Sequence, residues 1–393
     1  MEENPNQKQN PADAGASGAR LPEVSVIVPT INESENLPAL LRRISAAMPG
    51  VDYEVLIVDD NSADATPAVC AELARQYPLK LLVRTQPANG LSGAVLHGMA
   101  AARGKYLCVM DADLQHPPEK LPELLAPLRS GEADFALGSR YVPGGSTEAD
   151  WGIFRKINSQ FATLLARPFA GKTTDPMSGF FAMKRETYAG AQNLTPLGYK
   201  IALELICKCR VKKVREIPIH FGMRVKGQSK LSLKQQFRYL EHLSRLYDFT
   251  FPRASPMLKF LISTGASWLV GLGAYLALIF AGRGPIESIA IAYLPALMMT
   301  AAFHLRYVRT QREFLPRQTP WLDFAVISTA EWIVAILSAW WVSRRLIEPG
   351  TCETFIICFA CGTLARYVLR KEFLQDIRGL RRGLPREAEA KSR

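Results

Sequence analysis

The stretch that decides the fold is an apolar run followed at once by an acidic turn: Lys105-Tyr106-Leu107-Cys108-Val109-Met110, then Asp111-Ala112-Asp113-Leu114-Gln115-His116. The run has the length and composition of a buried strand, and Pro117-Pro118 closes the turn. Two carboxylates and an amide oxygen therefore leave the carboxyl end of one strand together. Such oxygens suit a hard divalent cation that also carries substrate phosphate oxygens. The sequence predicts a Mg²⁺ or Mn²⁺ site at Asp111, Asp113 and Gln115.

A solvated acidic turn that caps a helix beginning near Glu119 would have the same residues. The rest of the sequence must therefore decide between this alternative and a metal site. Upstream, apolar runs at 23–29, 53–59 and 80–84 alternate with helical patterns that include one at 91–102. This alternation predicts a Rossmann-like, mostly parallel α/β sheet with helices on both faces. Ligands of such sheets bind beyond the carboxyl ends of the strands, where Pro29, Asp60 and Asp111 fall.

Downstream of Asp134 the pattern is less regular. A strand is expected at 135–140, a helix at 152–169 with Arg155 and Ser159 one turn apart, and another strand at 213–220. Apolar residues then recur at three- and four-residue spacing from Leu233 to Leu246, with basic residues elsewhere on the helix. Such a helix suits a membrane interface, and an ordinary core-facing helix is the alternative.

Four apolar stretches follow near 257–281, 286–305, 322–343 and 352–369, each close to the length that crosses a bilayer. Arginines cluster between the second and third stretches and after the fourth. The positive-inside tendency therefore places both termini and the middle loop in the cytoplasm, although Arg344 and Arg345 oppose this mildly. Glu331 is costly inside the third stretch unless it faces a partner helix, a polar ligand or the interface.

Composition limits the partners. The chain has 393 residues and a formal charge of +12, which favours anionic partners such as lipid headgroups or phosphorylated substrates. It has neither zinc-finger spacing nor a basic stripe interleaved with aromatic residues, so no nucleic-acid partner is expected. Seven scattered cysteines argue against a disulfide framework. Nothing in the sequence indicates an oligomeric state.

These patterns divide the chain into five segments. We expect a disordered lead at 1–20, a catalytic domain at 21–231, an interfacial helix or linker at 232–256, an all-α four-helix transmembrane domain at 257–370 and a basic cytoplasmic tail at 371–393.

Six ordered motifs lie between residues 23 and 235. They are Val28-Pro29-Thr30-x-Asn32-Glu33, Val58-Asp59-Asp60-x-Ser62-x-Asp64, Asp111 to Glu119, Gly138-Ser139-Arg140-Tyr141, Asp175-Pro176-Met177-Ser178-Gly179-Phe180 and Arg224-x-x-Gly227-x-Ser229-Lys230. These motifs resemble those of the inverting family 2 glycosyltransferases, which have a GT-A-type fold, and most of all the polyprenyl-phosphate sugar synthases of the dolichyl-phosphate mannose synthase type. The four-helix tail is similar to the small membrane domains attached to some of these enzymes.

The resemblance implies transfer of a sugar from a nucleotide diphosphate to the phosphate of a membrane polyprenol, and it implies a role for individual residues. Nucleoside contacts fall on Pro29, Glu33, Val58 and Asp60, and Ile31 stands where these enzymes usually carry an aromatic residue beside the nucleobase. The donor and metal site falls on Asp111, Ala112, Asp113 and Gln115. Basic residues for the donor's diphosphate and sugar fall on Lys200, Arg224 and Lys230, and the lipid-phosphate site on Arg140, Arg155 and Ser159. Asp175 is expected to orient a donor hydroxyl or an arginine.

Three functions remain open at this point. The first is synthesis of polyprenyl-phosphate mannose from GDP-mannose with inversion, and the second is transfer from UDP-glucose or another UDP-sugar to undecaprenyl phosphate. The third, of a different class, is a lipid-linked sugar flippase or assembly scaffold whose soluble domain has lost its chemistry. The intact Asp111, Asp113, Gln115 and Lys230 argue against that third hypothesis.

Overall fold

The computed structural model describes residues 21–147, 153–195, 197, 200–222, 233–252, 254–303, 320–345 and 351–381. Within these ranges, the side chains of 153–161, 233–235, 256, 320–323, 351 and 370–381 are not described. The expected lead at 1–20 lies outside the described residues. The chain divides into two compact units, Met1–Leu246 and Tyr247–Arg393.

The first unit is built on a seven-stranded sheet with the order β3-β2-β1-β4-β7-β5-β8. All of its neighbouring strands run parallel except β7, which is antiparallel to both β4 and β5. The seven strands are β1 Val24–Thr30, β2 Tyr53–Asp59, β3 Leu79–Val83, β4 Tyr106–Val109, β5 Phe135–Ser139, β7 Phe181–Lys184 and β8 Val214–Pro218. A small second sheet pairs β6 Ser146–Thr147 with β9 His220–Phe221.

Helices cover both faces of the large sheet. Alternate residues of β1 separate into two apolar clusters, with Val24, Val26 and Val28 in one and Ile27 in the other. Burial on both faces explains why these strands read as continuous apolar runs. The helices are α1 Leu37–Ala47, α2 Thr66–Leu73, α3 Gly90–Ala101, a 3-10 turn at Pro118–Lys120, α4 Leu121–Arg129, α5 Ile153–Ala170, α6 Arg185–Ala189, α7 Ile201–Lys208 and α8 Leu233–Thr250.

The mostly parallel α/β sheet is confirmed, and strands β1 to β5 and β8 lie where the apolar runs predicted strands. The sequence did not indicate β6, β7, α6 or α7. β7 is a four-residue strand without alternation, and its place is set by pairing with β4 at Tyr106↔Lys184, far along the chain. Local patterning carries no signal for such a long-range insertion.

The second unit contains four helices, α9 Ser255–Phe280, α10 Pro285–Phe303, α11 Pro320–Arg345 and α12 Thr351–Arg381. Each is long and apolar enough to cross a membrane, over Met257–Phe280, Pro285–Phe303, Phe324–Arg345 and Cys352–Leu369. The core between the described parts of these helices consists of aromatic residues, chiefly Tyr293, Phe355 and Phe359, with alanines between them. α12 continues to Arg381, so the segment expected to be a tail begins as helix.

Glu331 faces partner helices within this unit. Its Oε1 lies 3.5 Å from Arg366 Nη1 and accepts a hydrogen bond from the Tyr293 hydroxyl at 3.4 Å. Arg366 also donates to Thr300 Oγ1 at 3.1 Å and to Thr264 Oγ1 at 2.6 Å. The charges of Glu331 and Arg366 thus partly compensate each other, as burial of charge requires.

The boundary between the two units falls within α8, and the apolar residues of this helix divide between two environments. Leu243 and Leu246 are buried, whereas Phe237 and Leu240 are 51% and 39% exposed. The predicted single apolar face is therefore half covered by protein and half open.

Candidate active site

The carboxyl ends of the strands bring the predicted site residues to one edge of the sheet. The end of β1 pairs with the end of β2 at Thr30↔Asp59, and the acidic turn follows β4. Arg140 follows β5, two strands further along the same sheet. Segments distant in sequence therefore meet at this edge, as is usual for ligand sites of parallel sheets.

Hydrogen bonds join the loop after β1 to the loop after β2. The Asn32 main-chain N–H donates to Ser62 Oγ at 2.8 Å, and Asn32 Oδ1 accepts the Ala63 N–H at 2.9 Å. The Ser34 N–H donates to Asp64 Oδ2 at 3.2 Å. Asn32 and Asn61 adopt positive φ angles of 57° and 60°, which asparagine tolerates better than most residues. The two loops therefore form one preorganised rim.

The residues expected to contact the nucleoside lie on or below this rim. Pro29 is buried at the end of β1, and Ile31 is 45% exposed above it. Glu33 is half-buried and accepts a hydrogen bond from Asn36 Nδ2 at 2.5 Å. The Val58 side chain is fully buried in the sheet core. Val58 can therefore face a ligand only through its main chain.

Asp60 forms an ion pair that the sequence did not indicate. Arg84 Nη1 lies 2.7 Å from Asp60 Oδ1, and both side chains are nearly buried. Burial raises the pKa of Asp60, and the charge of Arg84 opposes that rise. Arg84 also donates to the carbonyl of Ala88 at 2.5 Å, so one side chain fixes both the carboxylate and the loop before α3.

The acidic turn is compact because Leu114 adopts a positive φ of 62°. Asp113 Oδ1 accepts the Gln115 main-chain N–H at 3.2 Å, and Gln115 Nε2 donates to the carbonyl of Gly222 at 3.0 Å. The amide nitrogen is thus engaged, which leaves the amide oxygen as the group of Gln115 able to act as a ligand. Asp113 and Ala112 are buried, while Asp111 is partly exposed.

His116 supports the turn from below, a role that sequence reasoning missed. Its Nδ1 accepts the Asp111 main-chain N–H at 3.1 Å, and its ring stacks on Phe180 with centroids 5.3 Å apart. Burial lowers the pKa of His116 to about 4, so the ring is neutral at pH 7. Its approach to the Asp111 carboxylate at 3.6 Å is therefore a polar contact without ionic character.

Gly179 allows the segment before β7 to approach the turn closely. A Cβ at this position would lie 3.3 Å from Asp111 Oδ2 and 3.3 Å from His116 Cε1. This contact brings the Asp175 to Phe180 motif beside the acidic turn.

Asp175 holds Arg140 in a bidentate ion pair. Arg140 Nε and Nη2 donate to the two carboxylate oxygens at 2.7 and 2.8 Å, and the Arg140 main-chain N–H adds a third bond at 3.2 Å. Burial lowers the pKa of Arg140, but the bonds and charge of Asp175 outweigh burial and raise it. The guanidinium also lies 5.2 Å from the Phe221 ring centroid. Asp175 thus orients an arginine, one of the two roles expected for it.

Lys200 interacts electrostatically with Arg140 and Asp175. Burial and, less strongly, the positive charge of Arg140 lower its pKa to about 7, although the charge of Asp175 acts in the opposite direction. Its ammonium group lies 6.0 Å from the centroid of the Tyr239 ring. Lys200 thus lies close enough to Arg140 and Asp175 for their charges to act on it.

Comparison with known proteins identifies the family of the chain. The model of the family described as Glycosyl transferase family 2 matches residues 25–189. A dolichol-phosphate mannosyltransferase of Mycosarcoma maydis is 40% identical over 261 residues, covering 64% of this chain and 88% of that protein. The chain belongs to glycosyl transferase family 2. The predicted family resemblance is confirmed.

Two further proteins are similar to this family 2 chain. The dolichol-phosphate mannosyltransferase of Pyrococcus furiosus is 46% identical over 227 residues, which cover 57% of this chain and 63%, under two thirds, of that protein. The crystal structure of mannosyl-3-phosphoglycerate synthase from Rubrobacter xylanophilus is similar with a TM-score of 0.47 and 19% identity, covering 57% of this chain and 74% of that one.

Four residues predicted for the family 2 site cannot be placed by their side chains. Arg224 and Lys230 lie outside the described residues, and Arg155 and Ser159 are described only as backbone within α5. Within the described ranges, no three His, Cys, Asp or Glu side chains form a cluster able to hold a metal ion. The candidate ligand set therefore remains two carboxylates and the Gln115 amide oxygen, a set that fits a hard cation sharing its shell with substrate oxygens.

Proposed function

We propose that this chain transfers mannose from GDP-mannose to the phosphate of a membrane polyprenol, such as dolichyl phosphate, with inversion at the anomeric carbon. The observation that carries the proposal is the placement of Arg140 and Asp175 beside the turn at Asp111 and Asp113, with Lys200 within electrostatic reach of both. An anion site next to a candidate metal site is what two phosphate-bearing substrates require. The names of the fungal and archaeal relatives support mannose as the sugar.

The donor is held by the rim and the acidic turn. The nucleoside lies against Pro29, Ile31, Glu33, the main chain of Val58, and Asp60. Asp111, Asp113 and Gln115, with Ala112 between them, would hold Mg²⁺ or Mn²⁺, which when bound would stabilise the charge of the departing diphosphate. Lys200, Arg224 and Lys230 add positive charge to the same diphosphate and to the sugar.

The acceptor is held by cations at the other side of the site. A phosphate monoester has a second pKa of about 6 and is mostly ionised at neutral pH, so it needs no strong general base. It needs an anion clamp that places one oxygen in line with the anomeric carbon. Arg140, prepositioned by Asp175, supplies that clamp together with Arg155 and Ser159 from α5.

The reaction is a single displacement. A phosphate oxygen of the polyprenol forms a bond to the anomeric carbon while the bond to the GDP oxygen breaks on the opposite face. The electron pair leaves with GDP, and the configuration inverts. The protein contributes position and charge, since neither reacting oxygen has a proton to lose.

The four apolar helices are proposed to span the bilayer, with the catalytic unit and both termini in the cytoplasm. The arginines between α10 and α11 and those from Arg370 onward support this orientation. The exposed Phe237 and Leu240 of α8, which precedes the first span along the chain, support contact of this helix with the membrane surface.

A transfer assay in membranes tests the proposal. Labelled GDP-mannose, UDP-glucose and UDP-N-acetylglucosamine are each supplied with polyprenyl phosphate, and lipid-linked product is measured. We expect product from GDP-mannose, a loss of at least 10²-fold in Asp113→Ala, and no loss in the control Glu72→Ala, an exposed residue of α2. An unchanged rate in Asp113→Ala refutes catalysis at this turn, and preference for a UDP-sugar refutes the donor.

A further inference from the structure

We infer that α8 is a positioning element of the active site, which holds Lys200 in place through Glu204 and holds α5 in place through Tyr239. We call Glu204, Tyr239 and His242 the α8 latch. The inference rests on the proposed function, because Lys200 and α5 are there assigned to the donor and the acceptor.

Glu204 is the centre of the latch. It is fully buried and accepts three hydrogen bonds. His242 Nε2 lies 2.5 Å from Oε2, while Lys208 Nζ lies 2.7 Å and the Thr195 main-chain N–H 2.8 Å from Oε1. A buried carboxylate is costly unless it is paired and hydrogen-bonded in this way. α8 supplies one of the three donors through His242, which is itself fully buried.

The position of Glu204 along the chain connects this cluster to the active site. Lys200 is the N-cap residue of α7, and Glu204 stands one turn later in the same helix. Thr195, which binds the same carboxylate, lies on the other side of Lys200. Lys208 strengthens that side by donating to the Asn193 carbonyl at 2.6 Å and to Thr195 Oγ1 at 2.9 Å. The carboxylate thus fixes the chain both before and after Lys200.

Tyr239 extends the latch to α5. Its hydroxyl donates to the Ala162 carbonyl at 2.7 Å, and its ring lies below the Lys200 ammonium. One turn of α8 therefore contacts the donor-side lysine and the helix that carries Arg155 and Ser159. Positions 239, 242, 243 and 246 share a helix face. The buried side chains of Leu243 and Leu246 therefore pack the same face of α8 that carries Tyr239 and His242.

A second buried carboxylate in the same unit provides a matched control. Glu54 accepts from Ser25 Oγ at 2.7 Å, from the Arg103 main-chain N–H at 2.7 Å and from Arg103 Nη2 at 3.2 Å. It lies near the start of β2, at the sheet edge opposite the site. Loss of its charge disturbs a comparable network without touching Lys200.

The first experiment compares steady-state kinetics of the full chain in lipid for His242→Leu, His242→Gln and Glu54→Gln. Gln carries a donor nitrogen near the position of His Nε2 and should restore the bond to Glu204. We expect His242→Leu to raise the KM for the nucleotide-sugar by about tenfold, with kcat changed less than threefold. We expect His242→Gln and Glu54→Gln to stay within about twofold of wild type in KM.

The second experiment measures the titration of Lys200 without turnover. Reductive methylation of the full chain across pH, followed by mass spectrometry, gives the midpoint for this amine, which faces Arg140 and Asp175. The wild-type midpoint should lie near the pKa of about 7 that burial produces. In His242→Leu it should move toward the ordinary lysine value of about 10.4, whereas His242→Gln and Glu54→Gln should not shift it.

The two readouts separate the latch from the proposed function. If wild type makes no lipid-linked mannose but His242→Leu alone shifts the Lys200 midpoint, the function is wrong and the latch stands. If His242→Leu lowers thermal stability as Glu54→Gln does and changes neither KM nor the midpoint, the latch is overturned and the pair is structural only.

Discussion

Replacement of Asp175 by Asn should be far more damaging than its single charge suggests. The carboxylate is 1% exposed and forms two bonds to a guanidinium that is 13% exposed. Breaking a buried pair by neutralising one partner costs about 3 to 5 kcal/mol, because the remaining charge stays buried. For a unit of this size each kcal/mol lowers the melting temperature by about 2 to 4 °C, so Asp175→Asn should melt about 6 to 20 °C lower.

The pair of Arg43 with Glu119 is the matched control. Its atoms lie 2.7 Å apart, as close as the Arg140 pair, but the side chains are 38% and 56% exposed. Glu119→Gln should therefore cost less than about 1 kcal/mol.

Thermal unfolding of both full-length variants in the same detergent, with transfer rates measured well below the transition, checks the reasoning. Transfer by folded Asp175→Asn should also fall by about 10²-fold because Arg140 loses its orientation. Equal melting temperatures for the two variants would refute the argument from burial.

Three further predictions follow from the packing and charge of other residues. Lys200 loses its charge above its pKa of about 7, so kcat/KM for the donor should fall as pH rises from 7 to 9. Lys200→Arg should flatten that decline, and a parallel decline in both proteins would contradict the prediction. Gly98→Ala should destabilise the chain by about 1 to 3 kcal/mol, because the new Cβ would lie 2.5 Å from Ile27 Cγ2. In the control Gly190→Ala, the new Cβ has no neighbour closer than 3.4 Å. Equal thermal stability of the two variants would disprove the clash. Glu331→Ala should lower the free energy of unfolding by about 3 to 5 kcal/mol, because Arg366 stays buried without its carboxylate. The double variant Glu331→Leu with Arg366→Leu should lose much less stability. Additive losses would show that the two residues are not coupled.

Much of the catalytic unit was predictable because its early strands are buried on both faces and separated by clear turns. The sequence predicted β1 to β4 from local patterning, and the acidic turn followed from its position after β4. The Gly138 to Tyr141 and Asp175 to Phe180 motifs were identified only through family resemblance, because their partnership depends on the antiparallel insertion of β7.

The supporting residues of the site were not predictable in the same way. His116 and Arg84 are each the last residue of a segment identified in the sequence, yet their roles depend on which side chain they meet after folding. His116 could have been suspected from its place beside Gln115, since a histidine in a buried turn needs a partner. Arg84 carried no signal, because its partner Asp60 lies on another loop.

The antiparallel strand β7 also sets an order of assembly during synthesis. β1 to β4 are complete once the ribosome has made residue 109, and they carry the residues proposed to contact the nucleoside. The free edge of β4 then waits for Phe181–Lys184, and β5 has no neighbour in the sheet until β7 or β8 has emerged. Strands β1 to β4 can therefore form cotranslationally, while the open edge of β4 is an aggregation hazard until β7 pairs with it.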